Sequence, residues 1–180
     1  KAIEMAKRAK ALGMKVLVDF HYSDFWVDPG QQKKPDAWKN DSGDKLVDDV
    51  YAYTAKVMQD FNAQGVTPDM VQVGNELNNG MLWPEEQLTE DNPNGYKFLA
   101  KLLNAGLQAV HDNDKDNKVK TMIHLAGVDV NLYHTFFDNL IVKNKVNDFD
   151  IIGMSFYPFW HCTMDDLINT MNDVSAKYNK

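Results

Sequence analysis

The chain has 180 residues, a net charge of −7 and a hydrophobic fraction of 44%, which suffices for one domain with a buried core. Its excess of acidic side chains argues against nucleic acid or an anionic membrane as a partner, because phosphate binding needs clustered Lys and Arg. The single cysteine, Cys162, excludes a disulfide framework. No apolar run approaches the roughly 20 residues that cross a bilayer, so we expect no membrane partner.

Both ends of the sequence are expected to lie inside a longer chain. Helical spacing of apolar residues is already present from Lys1 to Leu12, with no initiator Met and no capping residue before it. A second helical run, from Met164 to Tyr178, stops without a capping signal. We therefore expect residues 1–180 to be a fragment of one domain, and the absence of a targeting peptide says nothing about compartment.

The predicted elements alternate regularly along the chain. Short apolar runs rich in β-branched residues predict buried strands at 15–21, 70–74, 119–125 and 149–156. Apolar residues at helical spacing predict helices over 1–12, 44–62, 98–110, 132–142 and 164–178. One helix followed by four strand–helix units predicts a parallel sheet covered by helices.

The strand ends indicate which α/β architecture this is. A doubly wound nucleotide fold needs a glycine-rich loop after a strand, and the sequence contains neither GxGxxG nor GxxxxGK[ST]. Each predicted strand instead ends in polar or aromatic residues, as in a (β/α)8 barrel, whose functional groups lie at the carboxyl ends of its strands. Four units are half of such a barrel, so the prediction is an α/β fold that forms part of a (β/α)8 TIM barrel.

Glu76 is the first candidate catalytic residue. It follows an apolar strand directly, after Gly74 and Asn75, and precedes a long loop, so its carboxyl group can point into a cleft. A general acid must keep its proton, which partial removal from water favours. A neighbouring Asn can hydrogen-bond a sugar hydroxyl next to the scissile bond. The alternative interpretation is a surface Glu at a strand terminus.

Aromatic and histidine side chains cluster in the same predicted loops. Flat aromatic faces suit the C–H faces of sugars, although loop packing is the alternative role, for Trp26, Trp38, Trp83 and Trp160. No HxH or HExxH spacing is present, which favours hydrogen-bonding or core roles over a metal site for His21, His124 and His161. Ser155 and Cys162 lack a nucleophile elbow of the GxSxG type, which disfavours nucleophilic catalysis by either residue.

Four segments carry the signature of a known family. They are Asp19–Gly30, Val71–Glu76, Gly80–Pro84 and Asp150–Trp160. In this order, and over essentially the whole chain, they closely resemble glycoside hydrolase family 53, the endo-β-1,4-galactanases, also called arabinogalactan endo-1,4-β-galactosidases. The first segment is specific, whereas Asn-Glu at a strand end is shared by all clan A retaining glycosidases. Met154 and Phe156 depart from the Leu and Tyr that are frequent in the family.

The resemblance implies a central fragment of a catalytic (β/α)8 barrel, about strands 3 to 6 with their helices, that cleaves β-1,4-galactan with retention and without a cofactor or metal. By similarity, Glu76 is the acid/base at the end of the fourth barrel strand, and Asn75 holds the neighbouring sugar hydroxyl. The residues that the resemblance places along the substrate subsites are Asp19, His21, Tyr22, Asp24, Trp26, Trp83, His124, Tyr157 and Trp160.

The second carboxyl group of a retaining mechanism is expected outside this sequence. In the family the nucleophile is a Glu at the end of the seventh strand, beyond the point at which these residues stop. Retention requires two carboxyl groups roughly 5–5.5 Å apart. We therefore expect the 180 residues alone not to hydrolyse galactan.

Two other functions remain open at this point. One is a different clan A enzyme, such as a mannanase or cellulase, and the other is a non-catalytic carbohydrate-binding half-barrel.

A half-barrel has two unpaired sheet edges, so self-association through them is expected. The implied substrate, a polysaccharide of the pectin type, places the protein in an extracellular, periplasmic or cell-surface setting.

Overall fold

Four parallel strands form one sheet in the computed structural model, which describes residues 1–84, 87–92 and 94–180. In spatial and chain order they are β1 (Leu17–Phe20), β2 (Met70–Val73), β3 (Lys120–Ala126) and β4 (Ile151–Ser155). Parallel crossovers are right-handed, so an order without reversal places every crossover helix on the same face of the sheet. This is the winding of a barrel wall, and a doubly wound sheet would reverse its order.

The expected alternation of helices and strands is confirmed. The helices are α1 (Ala2–Ala11), α2 (Asp44–Ala63), α3 (Gly95–Asn113), α4 (Val130–Phe137) and α5 (Met164–Tyr178). Short 3-10 turns at Asp36–Trp38 and Leu77–Asn79 interrupt the loops after β1 and β2. Among the described residues, no helix has both the length and the apolar character needed to cross a membrane.

Two sequence expectations about helix ends were wrong. The run 132–142 is not one α-helix, because α4 ends at Phe137 and continues as a π-helical turn over Asp138–Lys143. The run to Tyr178 does have a cap, since Asn179 adopts a left-handed backbone (φ 55°) and donates its N–H to the Ser175 carbonyl. Asn can take this conformation at a helix end, where Gly is the usual residue.

The core lies between one face of the sheet and the helices. Alternate strand residues point into it, among them Phe20, Val71, Val73, Ile123 and Leu125. Because side chains alternate along a strand, the residues between these point to the opposite face. That opposite face carries the polar side chains Asp19, Gln72, His124 and Ser155, which are described below.

Helix α3 approaches β2 closely at Gly106. A Cβ atom there would lie 2.6 Å from Cγ1 of Val73 and 3.0 Å from the hydroxyl of Tyr22. Neither group moves easily, because Val73 is fully buried in β2 and the Tyr22 hydroxyl is hydrogen-bonded to Thr54 at 2.7 Å. Gly106 therefore sets the distance between this helix and the sheet that positions the site.

We predict that Gly106→Ala lowers the free energy of unfolding by about 1 kcal/mol. Overpacking of this kind costs roughly 1–3 kcal/mol, against a gain of about 1 kcal/mol in helix propensity. Asn104→Ala is the matched control, because it introduces the same residue on the exposed side of the same helix and should not destabilise. Urea unfolding of both variants measures the difference. Equal free energies of unfolding for Gly106→Ala and Asn104→Ala would contradict the packing argument.

Candidate active site

The chain turns sharply where β2 ends, and this turn presents Glu76. Gly74 has a φ of 84°, and a Cβ there would lie 2.7 Å from the buried Leu77 side chain. Glu76 itself has a left-handed backbone (φ 50°, ψ 55°), which is uncommon for a residue with a side chain. Its carboxyl group is half-buried at the carboxyl end of the sheet. A strained non-glycine residue in this position is typical of functional sites.

Side chains from two other parts of the chain hold the backbone of Glu76. Its N–H donates to Nδ1 of His124 at 3.1 Å, and its carbonyl accepts from Nε2 of Gln32 at 3.2 Å. The same Gln32 amide group also donates to the Asn75 carbonyl at 2.9 Å. Both backbone polar groups of the strained residue are therefore satisfied by hydrogen bonds, which stabilise its conformation.

The carboxyl group of Glu76 is held through one of its oxygens. Ser155, the last residue of β4, donates its hydroxyl to Oε1 of Glu76 at 2.7 Å. The Ser155 hydroxyl oxygen also lies 2.9 Å from Nε2 of His124, a β3 residue on the polar face of the sheet, opposite the core. Burial lowers the pKa of His124 below its ordinary value, despite the opposing effect of the Glu76 charge, so the imidazole is neutral at pH 7.

The Gln72 side chain of β2 connects residues of β1 and β3 on the polar face of the sheet. Its side-chain amide lies 2.8 Å from Oδ1 of Asp19 on β1 and 3.3 Å from Nδ1 of His124 on β3. It also donates to Oδ1 of Asn75 at 3.1 Å, while the Asn75 amide donates to the Val27 carbonyl at 2.9 Å. Among the hydrogen bonds of the described residues, the buried Asn75 side chain thus has one N–H and one acceptor lone pair without a partner, which a ligand could use.

Asp19 and His21 form a pair at the end of β1. Nε2 of His21 lies 3.1 Å from Oδ2 of Asp19, and Nδ1 of His21 accepts the Val27 backbone N–H at 3.2 Å. Burial raises the pKa of Asp19 above its ordinary value, while His21 and Gln72 act in the opposite direction. The pair presents a partly desolvated carboxyl group on the same face as Glu76.

Tyr22 lies in the packed interior and not in the subsite position that the resemblance implied. Trp38 is half-buried against it, which is the loop-packing alternative stated above. The Tyr22 side chain is only 3% exposed, and its ring stacks on Phe20 at a centroid distance of 5.4 Å. Trp38 and Tyr53 complete this aromatic cluster, 6.4 Å and 6.2 Å from the Tyr22 ring. The hydroxyl of Tyr22 reaches the helix side of the sheet, so the structure does not bring it together with Glu76.

The remaining expected subsite residues lie in loops after the strand ends. Trp26, Tyr157 and Trp160 are exposed over 71%, 51% and 83% of their surface, so their rings are free to contact a ligand. Trp83 is half-buried and donates its indole N–H to the Asn79 carbonyl at 2.9 Å. Asp24 is exposed, with Oδ2 accepting the Asp36 backbone N–H at 2.7 Å. Within the described ranges, no three His, Cys, Asp or Glu side chains are grouped as a metal ion would need.

Three residues that organise the site were not among the predicted site residues. Gln72 had a detectable signal, since it is the one polar residue of the strand Met70–Val73. Ser155 was considered only as a nucleophile, and its position at a strand end beside Glu76 depends on strand pairing. Gln32 lies in a long loop, where no periodicity indicates which side chain turns inward.

Comparison with known proteins identifies the family of the chain. The sequence matches Glycosyl hydrolase family 53 over residues 1–180. It is 38% identical over 180 residues to a Bacillus subtilis protein named endo-beta-1,4-galactanase, covering 100% of this chain and 39% of that protein. Across the curated relatives that it matches, the chain spans 39 to 51% of their length.

Solved structures share the fold. The Ignisphaera aggregans GH53 catalytic domain superposes with a TM-score of 0.89 at 42% identity, over 99% of this chain and 47% of that one. A fungal beta-1,4-galactanase superposes with a TM-score of 0.90 at 34% identity, over 99% and 54%. The predicted fold, part of a (β/α)8 barrel, is confirmed. This chain belongs to glycoside hydrolase family 53.

Proposed function

We propose that this chain carries the acid/base half of a retaining endo-β-1,4-galactanase acting on (arabino)galactan, with Glu76 as the general acid/base. The observation that carries the proposal is the half-buried carboxyl group of Glu76 at a strand end, tied through Oε1 to Ser155 and leaving Oε2 without a protein partner among the hydrogen bonds of the described residues. The galactanase names of the relatives support the choice of substrate.

The proposed reaction has two steps. First, Glu76 protonates the glycosidic oxygen while a second carboxylate attacks the anomeric carbon, which breaks the C–O bond and forms a glycosyl-enzyme ester. The shortened galactan then leaves as the alcohol. Second, the Glu76 carboxylate removes a proton from water, whose oxygen attacks the anomeric carbon and releases the second carboxylate. The anomeric configuration is retained because it is inverted twice.

Neighbouring residues supply substrate contacts in this proposal. The free N–H and lone pair of Asn75 reach a sugar hydroxyl next to the scissile bond, where hydrogen bonds strengthen in the transition state. Asp19, with its partner His21, adds a carboxyl group on the same face, and Asp24 adds a carboxylate in the loop after β1. Both ring nitrogens of His124 are engaged by Glu76 and Ser155, so we do not propose the substrate contact that the resemblance implied for it. The exposed rings of Trp26, Tyr157 and Trp160, with the half-buried Trp83, offer stacking surfaces for further galactose units.

The setting of the protein follows from this substrate. A polymeric galactan is reached outside the cytoplasm, so we propose an extracellular, periplasmic or cell-surface location and a role in degrading pectic galactan. The alternatives, another clan A glycanase and a non-catalytic carbohydrate-binding protein, are outcomes of the tests below.

The tests need an enzyme with all eight barrel strands, here called the complete-barrel enzyme. It is the natural chain where that continues beyond these 180 residues, or a chimera in which this chain replaces the aligned region of the Bacillus subtilis endo-beta-1,4-galactanase. Wild-type complete-barrel enzyme should cleave β-1,4-galactan in preference to mannan and cellulose, as measured by released reducing ends. Binding of galactan oligosaccharides without cleavage would instead indicate a carbohydrate-binding protein.

We predict that Glu76→Gln lowers kcat/KM for galactan by about 10²–10⁴-fold, because the amide is nearly isosteric but cannot donate the proton. Glu90→Gln is the control, since it makes the same change at an exposed position of the following loop. Sodium azide should restore turnover of 2,4-dinitrophenyl β-galactobioside by Glu76→Ala, because azide attacks the galactobiosyl-enzyme without base assistance and yields β-galactobiosyl azide. Unchanged galactan hydrolysis by Glu76→Gln would refute the assignment.

We also predict that the 180-residue chain alone releases no reducing sugar from galactan above background. Apart from Glu76, the sequence contains only Glu4 in α1, the exposed loop residue Glu90, and Glu85 and Glu86, which lie outside the described residues. Of the two described residues, neither Glu4 nor Glu90 directly follows a strand of the sheet, and loss of a nucleophile removes many powers of ten in rate. Turnover comparable to that of the complete-barrel enzyme would disprove this prediction.

The same sample tests the expected self-association. β1 and β4 are the outer strands of the sheet and present unpaired backbone groups along their free edges. We propose that the isolated chain pairs through these edges, which light scattering coupled to gel filtration would detect as a mass above 20.5 kDa. A strictly monomeric chain would count against this pairing.

A further inference from the structure

Three hydrogen bonds close a ring that begins and ends at Glu76. The Glu76 backbone N–H donates to Nδ1 of His124 at 3.1 Å, and Nε2 of His124 lies 2.9 Å from Oγ of Ser155. Oγ of Ser155 in turn donates to Oε1 of Glu76 at 2.7 Å. The ring joins the ends of β2, β3 and β4. It therefore links the candidate acid to two strands that lie far from it in the sequence.

The direction of every bond in this ring follows from its first member. A backbone N–H can only donate, so Nδ1 of His124 must accept and carries no proton. The neutral imidazole then bears its proton on Nε2 and donates it to Ser155. The single hydroxyl proton of Ser155 is left for Oε1 of Glu76. The Gln72 amide nitrogen, 3.3 Å from Nδ1, is also a donor only, so its position is compatible with an unprotonated Nδ1.

We propose that Ser155 and His124 are positioning residues for Glu76, which hold Oε1 as a hydrogen-bond acceptor and so direct the transferable proton to Oε2. This inference rests on the proposed role of Glu76 as general acid/base. An acid that must protonate a glycosidic oxygen works only when its proton is on the oxygen facing the substrate. The ring fixes both the side-chain rotamer and the choice of oxygen.

Local packing supports a fixed orientation of the imidazole. Gly153 of β4 pairs with His124 in the sheet register, and a Cβ at Gly153 would lie 3.1 Å from Cδ2 of His124. It would also lie 2.6 Å from Sδ of Met122, the β3 residue that precedes His124 on the same face of the sheet. Because Gly153 has no side chain, the His124 imidazole has room to lie against β4, within reach of Ser155.

Burial outweighs the opposing charge of Glu76 and favours a neutral His124 imidazole. Burial has the largest effect on His124 and lowers its pKa, His21 from the β1 side adds to this, and the Glu76 charge opposes it. Asp19 on β1 and Tyr133 on α4 also interact with the Glu76 charge. A lowered pKa means that His124 stays neutral at pH values below its ordinary 6.5, and further acidification would break the ring by protonating Nδ1.

The first test uses the leaving group of the substrate. In the complete-barrel enzyme, Ser155→Ala should lower kcat/KM for galactan by about 10–100-fold, the effect of a misplaced catalytic group. It should change kcat/KM for 2,4-dinitrophenyl β-galactobioside by less than about threefold, because this leaving group departs without protonation. Ser155→Thr, which keeps the hydroxyl, should recover most of the activity on galactan. Ser175→Ala, on the exposed face of α5, is the control for serine removal.

The second measurement does not depend on turnover. Nitrogen-15 spectra of the histidine-labelled complete-barrel enzyme should show His124 as the neutral tautomer protonated on Nε2 at pH 7, and still mainly neutral at pH 6.5, where an ordinary histidine is half protonated. In Ser155→Ala the chemical shift of the His124 Nε2–H group should change, because this group loses its hydrogen-bond acceptor. An Nδ1-protonated tautomer or an imidazolium at pH 7 would overturn the ring.

The outcomes separate this inference from the proposed function. If the wild-type complete-barrel enzyme does not cleave galactan, the proposed function fails and this inference fails with it. If the wild type cleaves galactan but Ser155→Ala keeps full activity, or loses equally on both substrates, only the positioning role is wrong.

Discussion

The left-handed backbone of Glu76 is the constraint on which the site depends. A residue with a side chain adopts this conformation at a cost of about 1 kcal/mol or more, so other interactions must hold it there. Leu77, fully buried directly after it, anchors the turn, while Gln32 and His124 bind the carbonyl and the N–H of Glu76. Relaxation to an ordinary conformation would turn the carboxyl group away and break both hydrogen bonds.

A layer of polar side chains on the inner face of the sheet supports this turn. β1 contributes Asp19, β2 contributes Gln72, β3 contributes His124 and β4 contributes Ser155, and hydrogen bonds run between them across the sheet. Buried polar groups are tolerated because their partners satisfy them, and a satisfied network has one preferred arrangement. Since each member belongs to a strand, the arrangement is as rigid as the sheet itself.

Periodicity and turn signals in the sequence predicted the order of elements, the parallel sheet and the edge at which functional groups gather. They could not tell which loop residues turn inward. Tyr22 was expected beside the ligand, and ligand contact was one of two roles open for Trp38. Both instead pack against Tyr53 of α2, in an aromatic cluster between loop, strand and helix. The role of Ser155 depends on the pairing of β3 with β4, a long-range contact that local patterns do not contain.

The buried amide of Gln32 has a consequence for how this rim of the barrel can vary. It lies in the loop after β1, yet its side chain binds carbonyls of the turn after β2, and its own carbonyl accepts the Trp83 N–H at 2.7 Å. The Asn75 and Asn79 amides also donate to the Val27 and Pro29 carbonyls, so the two long loops are linked at several points. Grafting either loop alone from a homologue would break the contacts between them, so successful loop exchange between members of this family should require transferring both loops together.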